Sequence, residues 1–104
     1  MKHDLTTLLC ATSVIPVIAI DDINTAIPLC EALFNGGLRV QEITLRTDCA
    51  LQAIADVKAA LPDAVIGAGT IINKRDAIEA VAAGAEFLVS PGATQELIGA
   101  IENI

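Results

Sequence analysis

Residues 38–47 of this chain, LRVQEITLRT, decide its fold. Side chains alternate between the two faces of a β-strand, so one face of this run carries Val40, Glu42, Thr44 and Arg46. The opposite face carries Gln41, Ile43 and Leu45, of which Ile43 and Leu45 would pack under helices. We therefore expect Glu42, Thr44 and Arg46 to point into the interior of an α/β fold.

Runs of similar character recur about every 25 residues, which is the length of one strand-plus-helix unit. They predict strands near residues 14–20, 38–46, 64–70 and 86–90. Strands that alternate with helices form a parallel sheet with right-handed crossovers. Four such units are half of a (β/α)8 TIM barrel of ~200–250 residues. The sequence thus predicts the first half of such a barrel, a single truncated domain over residues 1–104, with a doubly wound open sheet as the competing architecture.

Residues that cap or break helices predict a helix after each strand. The predicted starts are Asn24 or Thr25, Asp48, Asn73 and Thr94, and the predicted ends are Gly36–Gly37, Pro62–Asp63 and Gly84. Asp4 would cap a further short helix, which precedes the first strand and runs through Cys10. In the helix after Asn73, we expect Ile78 and Val81 to face the core.

The composition argues against several classes of partner. Hydrophobic residues make up 54% of the chain, and the formal net charge is −7. The six Lys and Arg residues are scattered along the chain, which argues against binding to nucleic acid or to an anionic membrane. The uncharged stretch 5–20 is too short to span a bilayer, and its Thr and Ser residues and Pro16 make it too polar. We expect a soluble protein.

The cysteines indicate a reducing compartment. Cys10, Cys30 and Cys49 show no CxxC spacing, and His3 is the single histidine. This pattern fits neither a disulfide framework nor a structural zinc site. It also leaves no basis for a Ser/His/Asp triad. We expect buried, reduced thiols in a cytoplasmic protein.

Candidate chemistry lies at the carboxyl ends of the strands, where folds of this kind place their working groups. Glu42 and Arg46 would be about 13 Å apart along an extended strand, too far for a simple ion pair. Burying a charge without a partner is costly, so each needs a role of its own. Burial would raise the pKa of Glu42 and suit it to acid–base catalysis, while Arg46 would hold an anion. A structural polar core is the alternative.

Two turns after the third and fourth strands are weaker signals. The run 67–70, GAGT, offers backbone N–H groups and a hydroxyl that suit a carboxylate or a phosphate. Alone it indicates a tight strand-to-helix turn more than a ligand site. Ile72 stands where a dinucleotide fingerprint has its third glycine. The turn at residues 90–92, SPG, carries even less information.

Taken together, four runs resemble one family: VIPVI at 14–18, EITLRT at 42–47, GAGT at 67–70 and FLVSPG at 87–92. Their order and spacing are similar to those of the 2-keto-3-deoxy-6-phosphogluconate (KDPG) and 2-keto-4-hydroxyglutarate (KHG) aldolases. The resemblance implies a class I aldolase, a lyase that forms a Schiff base with pyruvate or a related 2-keto acid and needs no metal or other cofactor. It implies cytoplasmic homotrimers of (β/α)8 barrels. It also implies that Glu42 shuttles protons and that Arg46 and Thr70 bind the keto-acid carboxylate.

The resemblance also shows what these residues lack. The family's Schiff-base lysine lies on strand six, and its phosphate-binding loops follow strands seven and eight. None of Lys2, Lys58 and Lys74 is expected at an interior strand position, where burial lowers a lysine pKa for imine formation. We expect aldol cleavage by the full-length protein and none by the 104-residue chain alone. The alternative is an inactive half-barrel that serves as a structural or self-associating module.

Overall fold

The computed structural model describes residues 4–10, 12–92 and 94–103, apart from the side chain of Leu9. In chain order the elements are α1 (Leu5–Cys10), β1 (Val17–Ile18), α2 (Ile23–Asn35), β2 (Val40–Thr44), α3 (Ala50–Ala60), β3 (Val65–Gly69), α4 (Lys74–Ala83) and α5 (Gln95–Glu102). Strand and helix alternate from β1 to α4, as the sequence predicts. Lys2 and His3, which the sequence analysis weighed as a Schiff-base lysine and as a triad histidine, lie outside the described residues.

The three strands form a parallel sheet in the order β1-β2-β3. A half-barrel requires this sequential order, whereas a flavodoxin-like doubly wound sheet places its first strand between the second and the third. In register, Val17 lies opposite Glu42, Glu42 opposite Gly67, and Thr44 opposite Gly69. The strand order supports the half-barrel over the open sheet.

The fourth predicted strand, residues 86–90, forms an isolated β-bridge between Leu88 and Ala68 instead of a regular strand. Its backbone nevertheless runs parallel beside β3, where Val89 N–H donates to the carbonyl of Ala68 at 2.9 Å. Pro91 follows in a bend and has no N–H to continue the pairing. The segment therefore occupies the place of a fourth strand with less regular pairing than predicted.

The first two strands are also shorter than predicted. β1 keeps two residues of the predicted run 14–20, and β2 ends at Thr44 rather than at residue 46. Pro16 cannot donate to a ladder, although its carbonyl accepts from Glu42 N–H at 3.0 Å. β3 agrees with its prediction to within one residue at each end.

Helices cover one face of the sheet. Ile43 and Ile66 are fully buried there, within a cluster that includes the helical residues Ala26, Cys30, Ala53, Ile54, Val57, Ala77, Ala80 and Leu97. Gln41 also points to this side, because its Nε2 donates to the carbonyl of Cys30 in α2 at 3.0 Å. The alternation predicted for residues 41 and 43 is therefore confirmed.

The opposite side of the sheet, which we call the inner face, carries Val40, Glu42, Gly67 and Gly69. A second, smaller cluster of Leu8, Val40 and Phe87 lies there. Leu8 belongs to α1, so the predicted N-terminal helix covers this face near the amino end of β2. Phe87 lies against Gly67, since an added Cβ at that glycine would be 2.3 Å from the ring.

α2 begins earlier than the predicted Asn24 or Thr25. Its first residue is Ile23, because the side chain of Asp22 accepts from Asn24 N–H at 3.0 Å and acts as the N-cap. Pro28 consequently lies inside the helix rather than near its first turn. Proline there removes one backbone donor, and the residue sits on the exposed side.

The predicted N-cap of α3, Asp48, is wrong. Cys49 precedes the first helical residue and makes no side-chain capping bond. Its Sγ instead donates to the carbonyl of Ile20 at 3.0 Å, which ties the start of α3 to the segment after β1. The helix ends at Ala60, just before the predicted stop at Pro62.

Both predicted ends of α4 are confirmed. Asn73 Oδ1 accepts from Asp76 N–H at 2.8 Å, and Gly84 ends the helix with a left-handed φ of 116°. The expectation that Ile78 faces the core is wrong, since that side chain is 47% exposed. The buried residues of α4 are Ala77 and Ala80, so small side chains form the packing face.

The caps predicted for the two short helices α1 and α5 are confirmed. The carboxylate of Asp4 accepts from Thr7 N–H at 3.3 Å. Thr94 Oγ1 accepts from Leu97 N–H at 3.1 Å. In the part of the chain that the structure describes, no helix is long and apolar enough to cross a membrane.

Candidate active site

The three predicted site residues meet at the carboxyl ends of β2 and β3. Glu42 lies within β2, Arg46 lies in the turn after β2, and Thr70 directly follows β3. Neighbouring parallel strands end at the same edge of a sheet, so residues that follow them come together. Arg46 Nε donates to Thr70 Oγ1 at 3.1 Å. The structure thus joins the arginine and the threonine of two separate sequence motifs.

The Glu42 side chain leans along the inner face toward this edge. Its Cα lies opposite Gly67, yet its Oε2 is 2.0 Å from where a Cβ on Gly69 would stand. Two residues of a parallel strand span about 6.6 Å. The carboxylate therefore lies nearer the strand ends than its backbone does, and the residue is only 8% exposed.

Burial raises the pKa of the Glu42 carboxyl above 4.5, and the positive charge of Arg46 partly offsets this rise. The sequence predicted the direction and its main cause. It did not predict the influence of Arg46, because a fully extended strand would separate the two residues by about 13 Å. The strand ends at Thr44 and the glutamate leans forward, so the two charges interact.

Thr70 holds an unusual backbone conformation. Its φ is 60°, in the left-handed region, which β-branched residues rarely adopt. Such strain costs on the order of 1–3 kcal/mol and persists where surrounding structure enforces it, often at functional sites. The hydroxyl of this strained residue is the acceptor for Arg46.

The loop that carries Arg46 is anchored by contacts that the sequence analysis missed. Thr47 Oγ1 donates to the carbonyl of Ile20 at 2.5 Å, and Cys49 Sγ donates to the same oxygen. Thr44 Oγ1 donates to the carbonyl of Ile18 at 3.3 Å. The signal in the sequence is a Thr-x-x-Thr-x-Cys spacing around Arg46, which becomes meaningful only once β1 is known to lie beside β2.

The sequence also drew attention to two lysines and to the turn after the fourth segment. Lys58 lies on α3, where it pairs with Glu86 and donates to the carbonyl of Ala64 at 2.7 Å. Lys74 is the first, exposed residue of α4. Both lysines are helical, as the sequence predicts. In the turn after the fourth segment, Ser90 Oγ donates to the carbonyl of Gly92.

Comparison with known families identifies the family of the chain. A family model described as KDPG and KHG aldolase matches residues 5–104. The chain belongs to this aldolase family. The resemblance drawn from the four sequence runs is therefore confirmed.

Individual relatives cover almost all of the chain. The 2-dehydro-3-deoxy-phosphogluconate aldolase of Dickeya dadantii is 47% identical over 93 residues, 89% of this chain and 44% of the relative. The KHG/KDPG aldolase of Escherichia coli K12 is 41% identical over 99 residues, 95% of this chain and 46% of the relative. The chain thus spans about half the length of each.

A solved aldolase structure superposes on the whole chain. KDPG aldolase from Legionella pneumophila, described with pyruvate captured as a covalent carbinolamine intermediate, has a TM-score of 0.95 and is 44% identical. The match covers 100% of this chain and 50% of that one. The fold is therefore the first half of the aldolase barrel.

Proposed function

We propose that this chain forms the first half of an aldolase that cleaves KDPG, KHG or both to pyruvate and an aldehyde through a Schiff base. One observation carries the proposal. Glu42, Arg46 and Thr70 converge at one edge of the parallel sheet in a chain of the aldolase family. The geometry supports acid–base and carboxylate-binding roles, and the family supports the reaction.

Glu42 is the proton carrier in this proposal. Once the keto group is an imine, cleavage needs a base that takes the proton of the substrate's 4-hydroxyl as the C3–C4 bond breaks. It then needs an acid that returns a proton to C3 of the resulting enamine. Burial raises the pKa of the Glu42 carboxyl, which makes it a stronger base than an exposed carboxylate and suits it to take up a proton and return it.

Arg46 and Thr70 bind the carboxylate of the keto acid. A guanidinium and a hydroxyl side by side offer charge-assisted hydrogen bonds to a planar anion. Arg46 is exposed at the strand edge and is already oriented through its bond to Thr70. The pyruvate captured in the Legionella pneumophila relative supports a keto acid of this kind.

The amine that forms the Schiff base comes from outside these residues. Lys58 is engaged with Glu86 and Ala64 on the helical side, and an amine held in an ion pair and a hydrogen bond is a poor nucleophile. Incubation of the 104-residue chain with pyruvate and borohydride should therefore leave its mass unchanged. A stable pyruvyl adduct on Lys58 or Lys74 would contradict this assignment.

A chimaera tests the whole proposal. Residues 1–104 are joined to the part of the Dickeya dadantii aldolase that the chain does not match. We expect borohydride to trap pyruvate on the donor half, and we expect cleavage of KDPG, KHG or both. The matched control carries Glu42→Gln, which should retain pyruvate binding but lose turnover. A folded chimaera with no activity on either substrate would count against the proposal.

We further propose that the complete protein acts in the cytoplasm as a homotrimer. Support comes from the family resemblance, together with three cysteines whose spacing does not fit a disulfide framework. Analytical ultracentrifugation of the chimaera measures the oligomeric state. A monomeric chimaera with full activity would refute the trimer.

Self-association is a second candidate function, favoured by one specific observation. Val17 on β1 is 63% exposed and Val89 beside β3 is 41% exposed, so apolar side chains at both margins of the sheet remain accessible. Exposed apolar surface of this kind favours association with another chain. Sedimentation of the 104-residue chain at increasing concentration tests self-association. A chain that stays monomeric at every concentration would exclude it.

A further inference from the structure

The space beside Gly69 is filled by the functional carboxylate. An ideal Cβ at this position would stand 2.0 Å from Glu42 Oε2, 2.8 Å from Cδ and 3.2 Å from Cγ. These are the three nearest heavy atoms outside Gly69 and its chain neighbours, and all belong to one side chain. The end of Glu42 therefore occupies the volume that any side chain at position 69 would take.

The backbone at this position does not require glycine. Gly69 lies in β3, and its φ is outside the left-handed region that favours glycine. The residue that takes the left-handed φ at the turn is Thr70. If the turn needed the conformational freedom of glycine, position 70 would be the place for it. Steric space, rather than backbone conformation, explains Gly69.

The other inner-face glycine of β3 makes a different contact. An added Cβ at Gly67 would stand 2.3 Å from Cε2 and Cζ of the buried Phe87 ring. That ring packs with Leu8 and Val40 in the inner-face cluster. Gly67 therefore leaves room for a core aromatic, whereas Gly69 leaves room for the flexible end of a charged side chain.

We propose that Gly69 is a positioning residue, whose missing side chain seats the Glu42 carboxylate at the strand edge where it meets the substrate. The inference rests on the proposed function, since it gives Gly69 a part in proton transfer. A methyl group at position 69 would push the carboxylate off β3 toward the open side of the inner face. Val17, opposite Glu42 on β1, is 63% exposed and marks that open side.

Titration of the 104-residue chain tests the proposal without substrate or lysine. Carbon-detected NMR with labelled glutamate follows the Glu42 carboxyl in the wild type, in Gly69→Ala and in Gly99→Ala. Gly99 is the control, because a Cβ there meets nothing within 4 Å. We expect the pKa of Glu42 to fall toward 4.5 in Gly69→Ala, as the carboxylate gains solvent, and to stay unchanged in Gly99→Ala. A folded Gly69→Ala chain with an unchanged Glu42 pKa would overturn the proposal.

A second measurement is needed if Gly69→Ala is too unstable for its Glu42 pKa to be measured. The substitution is repeated in a Glu42→Ala background, and denaturant midpoints are compared. If the loss of stability disappears once the Glu42 side chain is removed, the two residues share one space and the proposal holds. If the loss persists, Gly69 serves backbone packing and the proposal fails. Neither readout depends on aldolase activity, so failure of the chimaera assay remains a separate result.

Discussion

Replacing Gly67 by alanine tests the architecture of the inner face. The added Cβ would stand 2.3 Å from two ring carbons of Phe87, whereas carbon atoms in contact normally lie ~3.5–4.0 Å apart. The ring must therefore move by more than about 1 Å within the cluster it forms with Leu8 and Val40. Forcing extra volume into a packed core costs about 1–3 kcal/mol. For a domain of this size that lowers Tm by at least about 4 °C.

Thermal and urea denaturation, followed by far-UV circular dichroism, measure the loss. Gly99→Ala is the matched control, because an added Cβ there has no neighbour within 4 Å beyond its own helix. It should raise the free energy of unfolding by about 0.5–1 kcal/mol. In a double-mutant cycle, Phe87→Leu should reduce the cost of Gly67→Ala, with a coupling energy of about 0.5–3 kcal/mol. A Gly67→Ala chain as stable as the wild type would refute the placement of Phe87 over β3, and with it the inward direction of the fourth segment.

Three further predictions concern the site and one helix cap. The raised pKa of Glu42 means that its stabilising contribution is present below pH 4.5 and is lost as pH rises through the folded-state value. Urea titrations of the 104-residue chain should therefore show Glu42→Gln more stable than the wild type at a pH above the folded-state pKa of Glu42, and no such gain below pH 4.5. In the chimaera, the same substitution should lower turnover about 10²–10⁴-fold. A Glu42→Gln chimaera that keeps near-normal turnover but is less stable than the wild type at neutral pH would make Glu42 a structural residue. Arg46→Ala should mainly raise KM for the keto acid, because a carboxylate contact acts in ground and transition states alike; an unchanged KM would exclude it as the clamp. Thr94→Ala should cost about 1 kcal/mol by removing the cap of α5, and an unchanged urea midpoint would contradict that role.

The composition of the two sheet faces could be predicted because it follows from periodicity, whereas the strand order was left open between a half-barrel and a doubly wound sheet. Alternation along β2 assigns Glu42 to the inner face and Ile43 to the helical face, and the structure agrees. The two-residue alternation of side chains does not predict where a strand ends or in which direction along the strand a long side chain extends. The sequence therefore did not predict that the charge of Arg46 lowers the pKa of Glu42.

Errors in the helices came from tertiary packing that overrides local pattern. Ile78 was expected inside, but alanines form the buried face of α4. Asp48 was expected to cap α3, but the chain there is held by Cys49 on the carbonyl of Ile20. Neither choice is encoded within its own segment, because each depends on a neighbouring element.

Thr70 departs from local preference in a different way, and the departure falls at the site. A β-branched side chain disfavours the positive φ that Thr70 adopts, so surrounding contacts must hold this backbone conformation. Deviations of this kind are expected where function competes with local stability. The sequence marked Thr70 through the family resemblance, whereas its strain appears only in the structure.

The contacts at the candidate site all lie between neighbouring strands of this half-barrel. Glu42 of β2 is seated on Gly69 of β3, Arg46 is oriented by Thr70 after β3, and the loop after β2 is fixed to the carbonyl of Ile20 after β1. Each contact joins strands that are neighbours in both sequence and space. In the function we propose, these residues position the proton carrier and the carboxylate-binding pair, and the rest of the barrel adds an amine that reaches the same edge. A donor half from any aldolase of the family that presents its lysine there should therefore complete the site without redesign of this half.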